Sequence, residues 1–390
     1  MRLLLIVPKL ISYRGFLREL CLSLVADGAE VHVACSCEKM WGHGGGLPDD
    51  GIQLHAVEFP RGMNPATHLQ AARELRQLVA EIGPDIVHAH FSAAIFTTAL
   101  ARTESWPLTY ATFHGVSFLA SRGWKAAALA RAEKWAARQF DAVWVLTDDD
   151  RAGLRAAVPK AVVHRWPGYG LGCDLKRFAP PAPASRKAIR TGHGIDDNEV
   201  VFAFLGRFTE FKGFALVVRA FLQMRHTHGR SRLLLIGIRD RLHPTGLTEE
   251  EEKALAACAG VIDLGFRTDV ETCLPAADVM VFPSQREGMP VCLMEALALG
   301  IPAITSDTRG CREVVRDHVD GLVVREPTVE SLRAAMELAA NDQSLRREWS
   351  AAAIAGRERF NREHFVAAQK LVYGAAISPS HTAQPLTVAA

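Results

Sequence analysis

The chain has 390 residues. At about 150 residues per domain it reads as two domains, because single cores rarely grow past roughly 300 residues, and one small binding module is excluded. Lys plus Arg number 45 and Asp plus Glu 43, a formal charge of +2, with 49% hydrophobic and 23% charged residues; this excludes an intrinsically disordered chain and leaves no electrostatic case for nucleic-acid binding.

No apolar run reaches the roughly 20 residues that span a bilayer, and Leu3 to Val7 is too short for a signal-peptide core, so a cytoplasmic location is expected. Eight cysteines are scattered without zinc or small-scaffold spacing and read as reduced thiols. Cys35 and Cys37 flank one Ser, which is not the two-residue gap of metal or redox motifs.

In chain order, short apolar runs alternate with amphipathic stretches, the pattern of strand-helix units and an α/β class with parallel sheets. Leu3 to Val7, Val31 to Cys35, Asp85 to Ala89, Leu108 to Phe113 and Ala142 to Leu146 read as strands, with helices at about 15–28, 66–82, 93–103 and 122–139. His43 to Gly46 reads as a mobile loop. The prolines of Phe178 to Pro183 remove backbone donors and favour an extended linker. Beyond it the alternation restarts, with strands at Val200 to Leu205, Leu233 to Ile236, Val261 to Leu264, Val279 to Phe282, Ala303 to Thr305 and Leu322 to Val324. Helices follow at Ser331 to Asn341, Leu345 to Arg359 and Glu363 to Tyr373, then a loose tail.

The expected organisation is therefore a doubly wound domain over 1–175, a linker over 176–186 and a second such domain over 187–358. A terminal helix occupies 359–374 and the tail 375–390. Parallel sheets bind ligands beyond the carboxyl ends of their strands, so a cleft between the two domains is the expected site.

The densest chemical signal follows Val279 to Phe282: a strand, then Pro283-Ser284-Gln285-Arg286-Glu287-Gly288-Met289-Pro290, then a helix through Leu299. The first free amides and positive dipole end of such a helix suit a diphosphate. Glu287 lies in the turn and Glu295 eight positions on, with the helical part spanning roughly 8 Å. Two carboxylates so placed can hold hydroxyls at separate points of one ligand; equally, Glu287 can cap the helix and Glu295 can be a solvated acid. Upstream, Arg207 ends a strand and Lys212 precedes the next helix. A planar fork and a point charge together can neutralise a leaving diphosphate; alternatively, Lys212 is a surface lysine and Arg207 pairs with Glu210. In the first half Thr112-Phe113 ends in His114-Gly115, where a histidine can donate to a sugar hydroxyl or phosphate and the glycine admits a ligand to the backbone. A satisfied core histidine is the other reading, and His88 and His90 are taken as structural.

Together these residues resemble the retaining nucleotide-sugar glycosyltransferases of family 4 (group 1), with the GT-B architecture of two doubly wound Rossmann-like domains facing each other across a cleft. The likeness runs from about residue 1 to 372 and implies that the terminal helix over 359–374 braces the first domain. It rests on Pro-Ser-x-x-Glu-Gly at Pro283 to Gly288, on Glu287 and Glu295 with seven residues between, and on Glu-Ala-x-Ala-x-Gly-x-Pro at Glu295 to Pro302. Gly206-Arg207, Lys212-Gly213 and Thr112-Phe113-His114-Gly115 add to it. It implies that Glu287 contacts donor-sugar hydroxyls, Glu295 the ribose, Arg207 and Lys212 the diphosphate with amides near Gly288 and Met289, and that His114 faces the donor sugar. The acceptor hydroxyl then attacks on the face the diphosphate leaves, with that diphosphate taking the proton and no metal expected.

Thr308 to Glu313, Pro167-Gly168 and Asp174 to Phe178 resemble bacterial capsule, exopolysaccharide and lipid-linked glycan assembly enzymes. These imply a UDP-sugar donor and a glycan or undecaprenyl-diphosphate-linked acceptor. Where many relatives carry Gly-Gly, this chain has Ser12-Tyr13-Arg14-Gly15-Phe16. Separately, Arg122, Lys125, Arg131, Lys134 and Arg138 beside Trp124 and Trp135 suit an anionic membrane surface, or else form an ordinary helix with its Trp side on the sheet. A UDP-sugar epimerase of the same fold and a non-catalytic sugar-nucleotide-binding subunit are the alternatives. A nicotinamide oxidoreductase is disfavoured because Pro8 to Ile11 is no Gly-x-Gly-x-x-Gly loop.

Overall fold

The computed structural model describes residues 1–36, 50–60, 64–116, 124–240 and 242–377. The mobile loop expected around His43, Cys37, Arg122 and the end of the tail lie outside them. The chain forms two compact units, Met1–Leu171 with the chain from Glu363 onward, and Gly172–Arg362.

In the first unit seven strands among the described residues form one parallel sheet: β1 (Arg2–Ile6), β2 (Glu30–Cys35), β3 (Ile52–Ala56), β4 (Ile86–His90), β5 (Leu108–Phe113), β6 (Ala142–Val145) and β7 (Val163–Arg165). Their order is β3-β2-β1-β4-β5-β6-β7. Continuous apolar runs such as Leu3 to Ile6 are fully buried, as expected of strands covered by helices on both faces. The edge strands β3 and β7 were not expected. β3 has no fully buried residue and β7 is three residues long, so neither carries a continuous buried run.

The first helical segment begins at Leu10, earlier than expected, and holds a π-turn over Tyr13–Leu17. The helix Pro65–Ile82 is bounded as its sequence dictates: Asn64 accepts from the Ala66 amide, Pro65 opens the first turn and Gly83 closes it in the left-handed region. The helix Arg362–Ile377 belongs to this unit from Glu363 on. It buries Phe365, Val372 and Tyr373, and Tyr373 Oη lies 2.7 Å from His88 Nδ1.

The second unit repeats the plan with β8 (Val200–Phe208), β9 (Ser231–Arg239), β10 (Val261–Asp263), β11 (Val279–Phe282), β12 (Ala303–Ser306) and β13 (Gly321–Val324). The order is β10-β9-β8-β11-β12-β13. Phe202, Phe204, Phe214, Phe221 and Phe282 are buried in its core. The order reverses between β8 and β11, where an open α/β sheet forms its ligand crevice.

The proline-rich segment is not a free linker. Pro183 opens a helix to Gly192, and Arg186 and the buried Arg190 both pair with Asp278 at 2.7 and 3.1 Å. Asp278 also accepts from the Val201 amide, so this helix anchors the entry to β11 and the division of units falls before it.

Candidate active site

In the second unit the carboxyl ends of β8 and β11 carry the charged residues singled out above. Lys212 Nζ donates to Glu287 Oε1 at 2.5 Å, with the two side chains 18% and 10% exposed. Lys212 also stands 5.4 Å over the Phe282 ring. Glu287 therefore does not cap the following helix Val291–Ala298, whose N-cap is Pro290 without a side-chain bond. Arg207 is half-exposed and pairs with Asp240, not with Glu210. The Leu242 amide, followed by the Arg207 guanidinium, holds the Asp240 carboxyl below its ordinary value.

Two glycines fix the loop between β11 and its helix. Gly213 has φ +79°, and a Cβ on it would meet the Pro283 carbonyl oxygen at 2.5 Å; Gly310 has φ +80°, and its Cβ would meet the Gly288 oxygen at 2.1 Å. Both positions require left-handed backbone and close approach at once. Ser306 and Thr308 hydroxyls donate to the Ser284 carbonyl at 2.5 and 2.7 Å, and the Gln285 amide donates to Phe211 O. Gly288 and Met289 are held buried ahead of the helix start.

Glu295 lies in that helix, partly buried, and is not the solvated acid that spacing alone allowed. Burial pushes its carboxyl up to about 7, offset by the Arg362 and Arg177 charges. Its carboxylate makes no hydrogen bond among the described residues, leaving its oxygens available to hydroxyl donors. Cys292, one turn before it, is raised by burial and by Glu287. Arg207, Lys212, Glu287 and the Gly288-Met289 backbone thus share one edge of one sheet, and Glu295 lies in the helix that follows.

His114 lies in the first unit, just beyond β5. Parallel pairing sets His90 against Thr112, and His90 Nδ1 lies 3.1 Å from His114 Nε2. His88 reaches Tyr373 Oη and Thr112 Oγ1 at 2.7 and 2.8 Å. Phe91, at φ 69°, stacks on His114 with centroids 3.9 Å apart. Burial pushes the His114 and His88 imidazoles down to about 3, and His90 well below its ordinary value. These are neutral rings near pH 7, and His88 and His90, taken as structural from sequence, form one cluster with His114. The contacts that sequence reasoning did not foresee are those of His90 and Phe91 with His114 and of Asp240 with Arg207.

On the first unit's surface, Phe96, Leu100, Arg131, Lys134, Trp135 and Arg138 line a groove of about 630 Å³. Trp135 remains 37% exposed, which departs from a helix that packs its Trp side onto the sheet. The side chains of Trp124 and Lys125 lie outside the described residues. No helix among the described residues is long and apolar enough to cross a membrane.

Two family models match: "Glycosyl transferase 4-like domain" over residues 14–167 and "Glycosyl transferases group 1" over residues 185–355. The chain is similar to the putative glycosyltransferase EpsD of Bacillus subtilis, 25% identical over 76% of each chain. It is also 25% identical to the N,N'-diacetylbacillosaminyl-diphospho-undecaprenol alpha-1,3-N-acetylgalactosaminyltransferase of Campylobacter jejuni, over 77% of this chain and 80% of that one. Among solved structures, HepE of Anabaena, in complex with UDP and glucose, superposes with a TM-score of 0.77 at 17% identity, over 97% of this chain and 100% of that one.

Proposed function

The chain belongs to the group 1, family 4 retaining glycosyltransferases of GT-B fold, and on that basis we propose that it moves a hexose or N-acetylhexosamine from a UDP-sugar to a glycan or lipid-diphosphate-linked saccharide in bacterial surface polysaccharide or glycoconjugate synthesis. The observation that carries the donor half is the juxtaposition of Lys212 with Glu287 on a loop pinned by Gly213 and Gly310. Lys212 and Arg207, with the Gly288 and Met289 amides, hold the diphosphate where charge develops as the anomeric C–O bond breaks. Glu287 accepts from sugar hydroxyls and Glu295 from the ribose. The acceptor oxygen bonds to the anomeric carbon on the departing face, and its proton passes to the diphosphate. His114 donates to an oxygen of the donor sugar. The lipid-linked acceptor named for the Campylobacter relative supports the acceptor class.

A panel of UDP-, GDP- and ADP-sugars titrated by thermal shift tests the reading, since a ligand of the folded state raises the melting temperature by mass action. A selective shift with one UDP-sugar names the donor. Absence of any shift overturns the donor assignment and favours a non-catalytic or acceptor-first protein.

We further propose that the groove lined by Arg131, Lys134, Trp135 and Arg138 attaches the protein peripherally to anionic lipid. Basic stems beside an exposed indole match such a surface. Flotation with anionic but not zwitterionic vesicles is expected, and failure to float with either removes the membrane from the partners.

A further inference from the structure

The histidine cluster of the first unit decides a proton's position, and that position bears on the chemistry. A neutral imidazole has one N–H and one acceptor nitrogen, and the three rings are kept neutral near pH 7 by burial. His90 is fully buried. Its Nδ1 faces His114 Nε2 at 3.1 Å, while its Nε2 is buried with no hydrogen-bond partner among the described residues.

Two arrangements satisfy the His90–His114 contact. If His114 donates, the His90 proton sits on Nε2 and becomes a buried N–H with no acceptor. If His90 donates from Nδ1, the orphaned Nε2 is a lone pair. Both leave Nε2 unpaired, and a buried orphan donor is the rarer of the two. The second arrangement therefore wins. It leaves Nε2 of His114 occupied as an acceptor and its remaining proton on Nδ1.

We propose that His90 is a positioning residue that fixes His114 as the Nδ1–H tautomer, so that His114 presents a hydrogen-bond donor and no basic lone pair to its ligand. This rests on the reading that His114 serves the reaction. A donor there orients or polarises a sugar oxygen and cannot take the acceptor's proton, which is left to the diphosphate oxygen. The surroundings hold the ring in that role. Phe91 stacks on the His114 face at an interplanar angle of 16°, in a left-handed backbone conformation that a non-glycine residue adopts only under strain. His88 stacks on His90 with centroids 4.2 Å apart. His88 is itself tied to Thr112, whose hydroxyl also accepts from Trp166 Nε1 at 3.2 Å.

Nitrogen-15 NMR of the full chain labelled on histidine tests the assignment without any variant. For His114 a protonated Nδ1 and an unprotonated Nε2 are expected, and the reverse overturns the proposal. Variants supply the functional reading, because an Asn amide reproduces the Nδ1–H of histidine while a Gln amide reproduces Nε2. H90N is expected to keep kcat within a few-fold of the parent. H90Q and H90F are expected to lower it on the order of tenfold to a hundredfold, with KM for the donor little changed and with folding checked by circular dichroism. Equal losses in H90N and H90F, both folded, overturn the positioning role. Full activity in H114A instead removes His114 from the reaction, while the nitrogen shifts still decide the tautomer, so the two failures are separable.

Discussion

Lys212 and Glu287 meet at 2.5 Å, and Arg207 meets Asp240, so under the proposed function a diphosphate draws each cation from a carboxylate. Lys212→Ala removes positive charge where the leaving group becomes negative and leaves Glu287 unpaired. Its kcat is expected to fall about 10²–10³-fold, and steady-state kinetics showing normal turnover would remove Lys212 from the mechanism. Glu295 supplies a pH signature. Its folded value near 7 exceeds the ordinary 4.5, so between those values the folded state holds the extra proton and this group's contribution to stability falls as pH rises through that window. Ribose hydroxyls donate best to the ionised form. UDP binding is therefore expected to release protons near pH 7 and to weaken toward pH 6, up to about tenfold per unit below 7. Calorimetry in buffers of different ionisation enthalpy reads this directly, and an E295Q protein with the same pH dependence as the parent excludes the role. The paired glutamates were legible because seven residues between them survive any detail of folding. Asp240 was not, since it lies 33 positions from Arg207 while Glu210 offered a partner three away. His90 was not, because its meeting with His114 depends on the pairing of β4 with β5.

Among the elements, central strands announced themselves through unbroken apolar runs such as Val279 to Phe282, buried on both faces. Ile52 to Ala56 mixes polar and apolar side chains at a sheet edge and gave no such run. In the segment after Phe178, residues 179–182 form no helix and the departure from expectation begins at Pro183. Prolines predict an extended chain, yet Pro183 at a first helical position loses no needed donor and starts a helix instead. The loop ahead of Val291 depends on backbone approach. Gly310→Ala places a methyl at 2.1 Å from Gly288 O in left-handed backbone, so a loss of about 1–3 kcal/mol is expected, together with weaker UDP binding as Gly288 and Met289 shift. Thermal melts and UDP titration check both parts, and a protein unchanged in each would mean that the loop is not held from this side.

On the scale of the whole molecule, the two-sheet plan was legible from alternation, but the ownership of the last helix follows from contacts that no periodicity encodes, such as Tyr373 against His88. The second unit, meanwhile, begins and ends at one place. The Cys173 amide donates to Phe360 O at 2.8 Å and the Arg362 amide to Cys173 O at 3.1 Å, while Arg357 reaches back to the carbonyls of Leu175 and Phe178. Gly172 is pressed against the Phe360 carbonyl, where a Cβ would stand 2.6 Å away. Incoming and outgoing chain are thus stitched together within a single core, so the unit is topologically a cassette. Residues 172–362 expressed alone are expected to melt cooperatively and to gain stability with UDP, and a molten fragment blind to UDP would contradict that. A cassette of this kind can be lifted out or exchanged at two adjacent peptide bonds, so the whole second unit can be carried between chains while His114 stays behind with the first.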